Sequence, residues 1–85
     1  MKVIQIIIEP SARRDIKSLD KTTQGRVMAA LGAFSEGNPV DIRKMQGTDN
    51  QYRIRVGDYR IVLEIIVIEG VSYVLRVKHR HEVYR

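Results

Sequence analysis

Two stretches of alternating apolar and polar residues, separated by Gly57 and Asp58, constrain this chain more than any other feature. Residues 52–56 alternate, and the alternation resumes at residue 59. Because strand side chains change face at every residue, the pattern predicts two antiparallel strands joined by a tight turn. Gly57 suits the turn because it adopts positive φ without a steric cost. Asp58 is expected to serve the turn rather than chemistry, since aspartate side chains readily bond turn backbone.

The predicted hairpin has one apolar face and one basic face. Tyr52 and Tyr59 fall on the apolar face and are expected in the core. The basic face carries Arg53, Arg55 and Arg60. Like charges directly across neighbouring strands are unfavourable, so a bound polyanion would explain three guanidinium groups on one small surface. The alternative is a solvated strand face without a function.

Length and charge narrow the class of protein. The 85 residues are enough for a single domain spanning residues 1–85, with a modest core. Fifteen Lys and Arg residues against ten Asp and Glu residues give a net charge of +5. A basic small domain favours a nucleic acid or an acidic protein as partner. A net charge of about 2–8 is also ordinary for a small domain, so the clustering of arginine carries more weight than the total.

The absence of cysteine excludes disulfides, thiolate nucleophiles and thiolate metal sites. It fits a reducing cytosol, and a cytoplasmic location is expected. No apolar run approaches the roughly 20 residues of a membrane helix. The first residues lack the layout of a signal peptide and are expected to form a strand. No carboxylate cluster suited to a metal is present, and no cofactor is expected.

The first half of the chain predicts a strand followed by two helices. The continuous apolar run at residues 3–8 favours a strand that is covered on both faces or lies near the centre of a sheet. Apolar spacing predicts a helix over residues 11–19, with Pro10 in a position suited to the first turn. Asp20, Thr22 or Thr23 could cap the second helix, which ends at Gly37-Asn38-Pro39.

The second half predicts strands. A short strand over residues 40–45 precedes the hairpin, whose second strand runs to about residue 68. The last strand, residues 71–78, is expected to place Val71, Tyr73, Leu75 and Val77 on its apolar face, with alternation continuing into the tail. The fold class is therefore α+β: an antiparallel-dominated sheet of about four to five strands with an N-terminal helix hairpin on one face. The apolar strand faces are expected to meet Ile16, Leu19, Val27, Leu31 and Phe34, leaving the other sheet face open and basic.

Three segments give the chain a resemblance to a known family. They are the helix hairpin that ends in Gly-Asn-Pro, the run Tyr-Arg-Ile-Arg-Val-Gly-Asp-Tyr-Arg-Ile-Val at residues 52–62, and Val-Lys-His-Arg-His-Glu-Val-Tyr at residues 77–84. Together they resemble the RelE/ParE toxin superfamily of toxin–antitoxin systems over essentially the whole chain. RelE-like members enter the ribosomal A site and cut mRNA without a metal, through attack of a ribose 2′-OH on the adjacent phosphate. ParE-like members inhibit DNA gyrase.

The resemblance implies a ribosome-dependent mRNA endonuclease toxin, held in check by a cognate RelB-like antitoxin that is acidic or partly disordered. Its other targets would be the ribosome and mRNA, and no membrane is implied. The alternatives are a ParE-like gyrase-inhibiting toxin or an inactive toxin-fold interaction protein.

The resemblance also implies roles for the hairpin arginines. Arg53, Arg55 and Arg60 occupy positions where RelE-like nucleases place basic catalytic residues. Guanidinium groups can stabilise the extra negative charge of a pentacoordinate phosphate. Relatives can carry lysines where this chain has Arg53 and Arg55, and a lysine can act as a base whereas an arginine cannot. The acceptor for the 2′-OH proton must therefore lie elsewhere.

The C-terminal segment supplies further candidates. Tyr84 matches a tyrosine that stacks on or orients the substrate in the family, although a core aromatic is the alternative. Arg80 matches an arginine beside the scissile phosphate, and His81 can exchange protons near neutral pH. Arg60 and Arg80 are expected to be exposed. Four further residues are predicted to bind substrate: Lys44, Arg76, Lys78 and His79. Plain solvated charge is the alternative for Lys44, Arg76 and Lys78, and a surface side chain without a role is the alternative for the histidines.

Overall fold

The computed structural model describes residues 4–83, with the side chains of residues 4–81. Its elements are β1 (Gln5–Ile8), α1 (Pro10–Lys17), α2 (Lys21–Ser35), β2 (Ile42–Lys44), β3 (Gln51–Val56), β4 (Tyr59–Ile66), a 3₁₀ turn (Val67–Glu69), β5 (Val71–His79) and α3 (Arg80–Val83). The predicted α+β class and the N-terminal helix pair are confirmed. None of the helices in the described range is both long enough and apolar enough to span a bilayer.

The strands described between residues 4 and 83 form one five-stranded sheet in the order β1-β5-β4-β3-β2. Only the β1–β5 pair among them is parallel. Of the two alternatives predicted for β1, the position near the centre of the sheet is wrong, because β1 is an edge strand. The strand is apolar because Ile6 and Ile8 pack against the core. The end of α2 contacts the residue before β1, where the Ile4 N–H donates to the Ser35 carbonyl at 2.9 Å.

The core lies between the sheet and the two long helices. Its buried members are Ala12, Val27, Leu31, Ile54, Val56, Ile61, Leu63, Val74 and Val77. Ile16, Leu19 and Phe34 pack against this cluster, so the predicted helix contacts are confirmed. Tyr52 and Tyr59 also pack against it, as the alternation predicts. The apolar face of the hairpin therefore points toward the helices, and the arginine face points away from them.

A β-bulge in β5 reverses the predicted faces of that strand. Val62 pairs with Arg76, whereas the next residue, Leu63, pairs with Val74. Leu75 is thus an extra residue on β5, and side chains before and after it change face. Val77 is buried as expected, but the predicted apolar face of Val71, Tyr73 and Leu75 is wrong. The buried positions before the bulge are Ser72 and Val74.

Local signals set the ends of the helices. Pro10 begins α1, where its missing N–H leaves no carbonyl without a partner. Asp20 is the cap of α2, and its carboxylate accepts from the Thr23 N–H at 3.1 Å. Gly37, with φ of 81°, ends α2 in a left-handed conformation. The Asn38 N–H then donates to the Ala33 carbonyl at 2.8 Å, which is the bond expected of a Schellman motif.

Strand alternation correctly predicts the hairpin turn but not the structure of the C-terminal tail. Val56 and Tyr59 pair across a two-residue turn, in which Gly57 has a φ of 59°. The predicted turn is confirmed. The predicted strand alternation in the tail is wrong, because β5 ends at His79 and a short helix begins at Arg80.

Candidate active site

Cross-strand pairing gathers basic residues on the sheet face that points away from the helices. Arg55 of β3 pairs with Arg60 of β4, and Arg60 pairs in turn with Lys78 of β5. One row further along, Arg43 of β2 pairs with Arg53 of β3. Directly opposed residues have Cβ atoms only about 4.5–5.5 Å apart. Like charges at this spacing repel one another, so the face is suited to an anionic ligand.

The arginines of three strands surround one depression of about 280 Å³. Its lining residues are Asp41, Arg43, Arg53, Arg55 and Arg60. A second depression, of about 330 Å³, adjoins it and is lined by Arg43, Lys44, Met45, Gln46 and Arg53. We refer to Arg43, Arg53, Arg55 and Arg60 as the arginine cluster. Planar guanidinium groups bind phosphate oxygens in pairs, so a cluster of this kind can hold a phosphodiester from several sides.

Arg60 is buried, which corrects the expectation that it would be exposed. Only 7% of the residue is accessible. Its Nη1 donates to the Tyr59 carbonyl at 3.1 Å and to the Gly57 carbonyl at 3.4 Å. These bonds anchor the guanidinium against the backbone of the hairpin turn. A charge held in place before a ligand arrives needs little reorganisation when negative charge develops beside it.

Arg76, which the sequence predicts to bind substrate, is paired with a carboxylate of its own chain. Its Nε donates to Asp15 Oδ2 at 2.8 Å and its Nη2 donates to Oδ1 at 3.1 Å. Asp15 Oδ2 also accepts from the Val77 N–H at 2.9 Å. The pairing of β1 with β5 ends at Val74. The Asp15 carboxylate therefore accepts a hydrogen bond from a β5 backbone N–H that has no partner in β1.

The same contacts change the acidity of Asp15. Burial raises the pKa of this carboxyl, but the hydrogen bonds from Arg76 and from the Val77 N–H, with the positive charge of Arg76, outweigh it. The pKa therefore lies below its ordinary value of 3.8. Asp15 thus fastens α1 to the edge of β5 as an ionised group.

The two predicted substrate-binding lysines lie on different faces of the sheet. Lys78 shares a row with Arg60. Lys44 pairs with Tyr52, whose side chain points toward the helices, so Lys44 is not part of the row of arginines. It reaches only the second depression, at the end of the short edge strand β2.

Arg80 lies at the hairpin turn. Its backbone N–H donates to the Asp58 carbonyl at 2.7 Å, which places the start of α3 beside the turn. Its Nη1 is 4.0 Å from Asp58 Oδ1, and both side chains are largely exposed. An exposed pair at this distance contributes little to stability. Arg80 is exposed as expected, and Asp58 has a second contact besides the turn itself.

The histidines stack at the junction of β5 and α3. The ring of His81 lies parallel to that of His79 with centroids 4.9 Å apart, and Tyr59 meets His79 edge-on at 5.3 Å. The His81 N–H faces His79 Nδ1 at 3.4 Å. His79 belongs to β5 and His81 to α3, so strand alternation does not relate the two residues. Tyr84, the remaining predicted catalytic residue, lies outside the described residues.

Two members of the depression, Asp41 and Arg43, are not among the site residues that the sequence predicts. Both precede or belong to β2, a strand too short to fix its register against β3 by pattern alone. Once Ile42 is paired with Ile54, Arg43 must face Arg53. Within the part of the chain that the structure describes, no group of three or more His, Asp or Glu side chains could hold a metal ion.

The sequence matches the model of a known protein family. The family model for the ParE toxin of the type II toxin–antitoxin system parDE matches residues 6–84. The chain belongs to this toxin family. It is also 29% identical over 87 residues to Toxin RelE3 of Methanocaldococcus jannaschii, an alignment that covers 95% of this chain and 96% of that protein. The resemblance to the RelE/ParE superfamily is thereby confirmed.

Solved structures of toxins have the same fold. The toxin–antitoxin complex RelB-RelE of Methanococcus jannaschii matches with a TM-score of 0.77 and 28% identity, covering 92% of this chain and 94% of that one. A double arginine-to-alanine mutant of E. coli RelE in the free state matches with a TM-score of 0.79 and 22% identity, covering 96% and 90%. At that identity the second match establishes the fold alone.

Proposed function

We propose that this toxin is a ribosome-dependent endoribonuclease that cuts mRNA in the A site without a metal. The observation that supports the proposal best is the arginine cluster, in which four guanidinium groups from three strands surround one depression. Attack by a ribose 2′-OH on the neighbouring phosphate builds up negative charge on the phosphate oxygens. Preorganised cations stabilise that charge, and loss of one such group typically lowers kcat by about 10²–10³.

The residues of the site take different roles in this proposal. Buried Arg60 is the fixed electrostatic anchor, and the more accessible Arg53 and Arg55 orient the phosphodiester. Arg80 approaches from the hairpin turn and assists at the scissile phosphate. His81 remains a candidate for proton transfer at the tail. Tyr84 is proposed to stack on the substrate base.

A cognate antitoxin is the proposed partner in the cytoplasm. The M. jannaschii RelE structure contains its antitoxin RelB, and we infer a RelB-like partner for this chain. An acidic or partly disordered segment would neutralise the arginine cluster while it folds on the toxin surface. The arginines that are proposed to act in cleavage would then also attract the antitoxin that blocks it.

Gyrase inhibition is the second candidate function, because the family model that matches residues 6–84 is that of ParE. Induced expression of the toxin separates the two. Cleavage within translated mRNA at codon-phased positions, detected by primer extension, supports the endonuclease. Intact mRNA, together with altered plasmid supercoiling and gyrase-cleaved DNA, supports gyrase as the target and contradicts the proposal.

Arg55→Ala is the most informative variant for this test. Arg55 is exposed and lines the depression, so its loss should slow cutting by about 10²–10³ without disturbing the fold. Arg60→Ala is less suitable, since Arg60 is buried and its loss also disturbs packing. Arg14→Ala on the exposed surface of α1 is the matched control and should cut as the wild type does. Equal cutting by the Arg55→Ala variant would remove the cluster from the mechanism.

A further inference from the structure

Asp41 is the one acidic side chain among the described residues that line the arginine depression. It directly precedes β2, and the Arg55 N–H donates to its backbone carbonyl at 2.8 Å. Since Ile42 pairs with Ile54, Asp41 continues the register opposite Arg55. It therefore lies in the row that runs through Arg55 and Arg60 to Lys78. Alternation along the strand directs its side chain to the same face as that of Arg43.

The Asp41 carboxylate lines the depression together with four arginines, yet no ion pair joins it to a described residue. Among the described residues, no arginine or lysine nitrogen lies within 4.0 Å of it, whereas Asp15 and Asp58 each have an arginine within that distance. Asp41 is exposed. Its backbone is thus fixed by the sheet, while its carboxylate remains open to a ligand that occupies the depression.

We propose that Asp41 is the general base that accepts the proton of the attacking ribose 2′-OH. This inference rests on the proposed endoribonuclease function. Metal-free cleavage needs a proton acceptor at the 2′ oxygen, and the four arginines of the cluster cannot supply one because they stay protonated. A carboxylate that lines the same depression can accept the proton directly.

Water is the only other reactant that this step needs. The 2′-O–H bond breaks and its proton passes to Asp41 as the 2′ oxygen bonds to phosphorus. The P–O5′ bond breaks, and the departing 5′ oxygen takes a proton from water. The products are a 2′,3′-cyclic phosphate and a 5′-hydroxyl, and Asp41 returns its proton to the solvent. The arginine cluster stabilises the phosphorane that forms between these two events.

A purely electrostatic role for Asp41 leads to a different result. If the carboxylate only offset the mutual repulsion of the arginines, its removal would change RNA affinity and stability. The rate of the chemical step would stay the same. If Asp41 is the base, its removal slows the chemical step. RNA binding is then not weakened, because removing a negative charge from an anion site does not reduce the affinity for RNA.

The experiment compares wild type, Asp41→Asn and Asp41→Glu on mRNA-programmed ribosomes, with RNA affinity and single-turnover cleavage rate measured separately. Asp41→Asn should cut about 10²–10⁴ times more slowly, with affinity equal to or higher than that of the wild type. Asp41→Glu, which retains a carboxylate, should recover part of the rate. Asp49→Asn makes the same charge change in an exposed loop outside the depression and should behave as the wild type.

Two outcomes would overturn the inference in distinguishable ways. Cleavage by Asp41→Asn at the wild-type rate, or a loss confined to affinity, removes Asp41 as the base and leaves the endonuclease proposal standing. A wild-type toxin that leaves mRNA intact overturns the endonuclease proposal and the role of Asp41 with it.

Discussion

At the residue scale, Arg60 combines two properties that are usually separate. It is as buried as a core residue, yet it lines the depression together with exposed arginines. Burying a charged group is costly unless it is hydrogen-bonded, and two carbonyls of the hairpin turn accept from its guanidinium. The turn geometry and the position of this cation are therefore coupled. A change at Gly57, where φ is positive, is expected to disturb the site as well as the hairpin.

Ser72 gives a prediction at the same scale. It is fully buried within β5, and its Oγ has no hydrogen-bond partner among the residues that the structure describes. A buried polar group without a partner costs about 1–3 kcal/mol. Ser72→Ala should therefore raise the free energy of unfolding, by about 1 kcal/mol after the small loss of packing. Urea unfolding followed by circular dichroism measures this, with the exposed Ser18→Ala as a control. A clear loss of stability in Ser72→Ala would indicate that the hydroxyl has a partner in solution.

At the scale of elements, one carboxylate adds a polar link to the apolar packing between α1 and β5. Asp15 joins the Arg76 side chain to the Val77 N–H. Its pKa is lowered in the folded protein, so its stabilising effect is complete above the ordinary value of 3.8. The effect disappears as the pH falls through the lower, folded value, because protonation removes the charge that both donors contact.

Asp15→Asn is expected to reduce the free energy of unfolding by about 1–2 kcal/mol at neutral pH. The difference from wild type should shrink on acidification to about pH 2, because only the wild type loses an interaction there. Urea unfolding at several pH values measures both effects. Asp49→Asn controls for a general change in charge. Parallel pH profiles for wild type and Asp15→Asn would contradict the assignment.

Element types were predictable from periodicity, whereas their relations in space were not. The hairpin around Gly57, the cap and end signals of α2 and the apolar stripe of the helices all carry local patterns. The bulge at Leu75 does not, because residues on both sides of it are apolar and either face of β5 could enter the core. The edge position of β1 was equally hidden, since an apolar run is compatible with a central strand and with an edge strand covered by a helix.

The site was predictable only in part for the same reason. Three of the four arginines of the cluster lie in one hairpin, where alternation alone places them on a common face. Arg43 and Asp41 reach the depression through the pairing of β2 with β3, which a strand of three residues does not specify. The pairing of Arg76 with Asp15, 61 positions earlier, could not be predicted either, because no sequence pattern links the two residues.

At the scale of the whole molecule, the arginine cluster should make RNA binding strongly dependent on salt. For single-stranded nucleic acid, the logarithm of the binding constant falls with the logarithm of salt concentration by about 0.7 per phosphate contact. Arg43→Ala should therefore reduce the slope by about 0.7. Arg76→Gln should leave the slope unchanged, because Asp15 already engages that guanidinium. Fluorescence anisotropy with a short RNA, measured over a range of salt concentrations, gives both slopes. Equal slopes for wild type and Arg43→Ala would contradict a phosphate contact at Arg43.

The central claim is that the arginine cluster performs chemistry on RNA, and reconstituted cleavage tests it most directly. Purified toxin is added to ribosomes programmed with a defined mRNA, and the rate and the chemical ends of the fragments are determined. The account predicts fragments that carry a 2′,3′-cyclic phosphate and a rate about 10²–10³ lower for Arg55→Ala. Uncut mRNA with the wild-type toxin, or cleavage that is unaffected by Arg55→Ala, would contradict it.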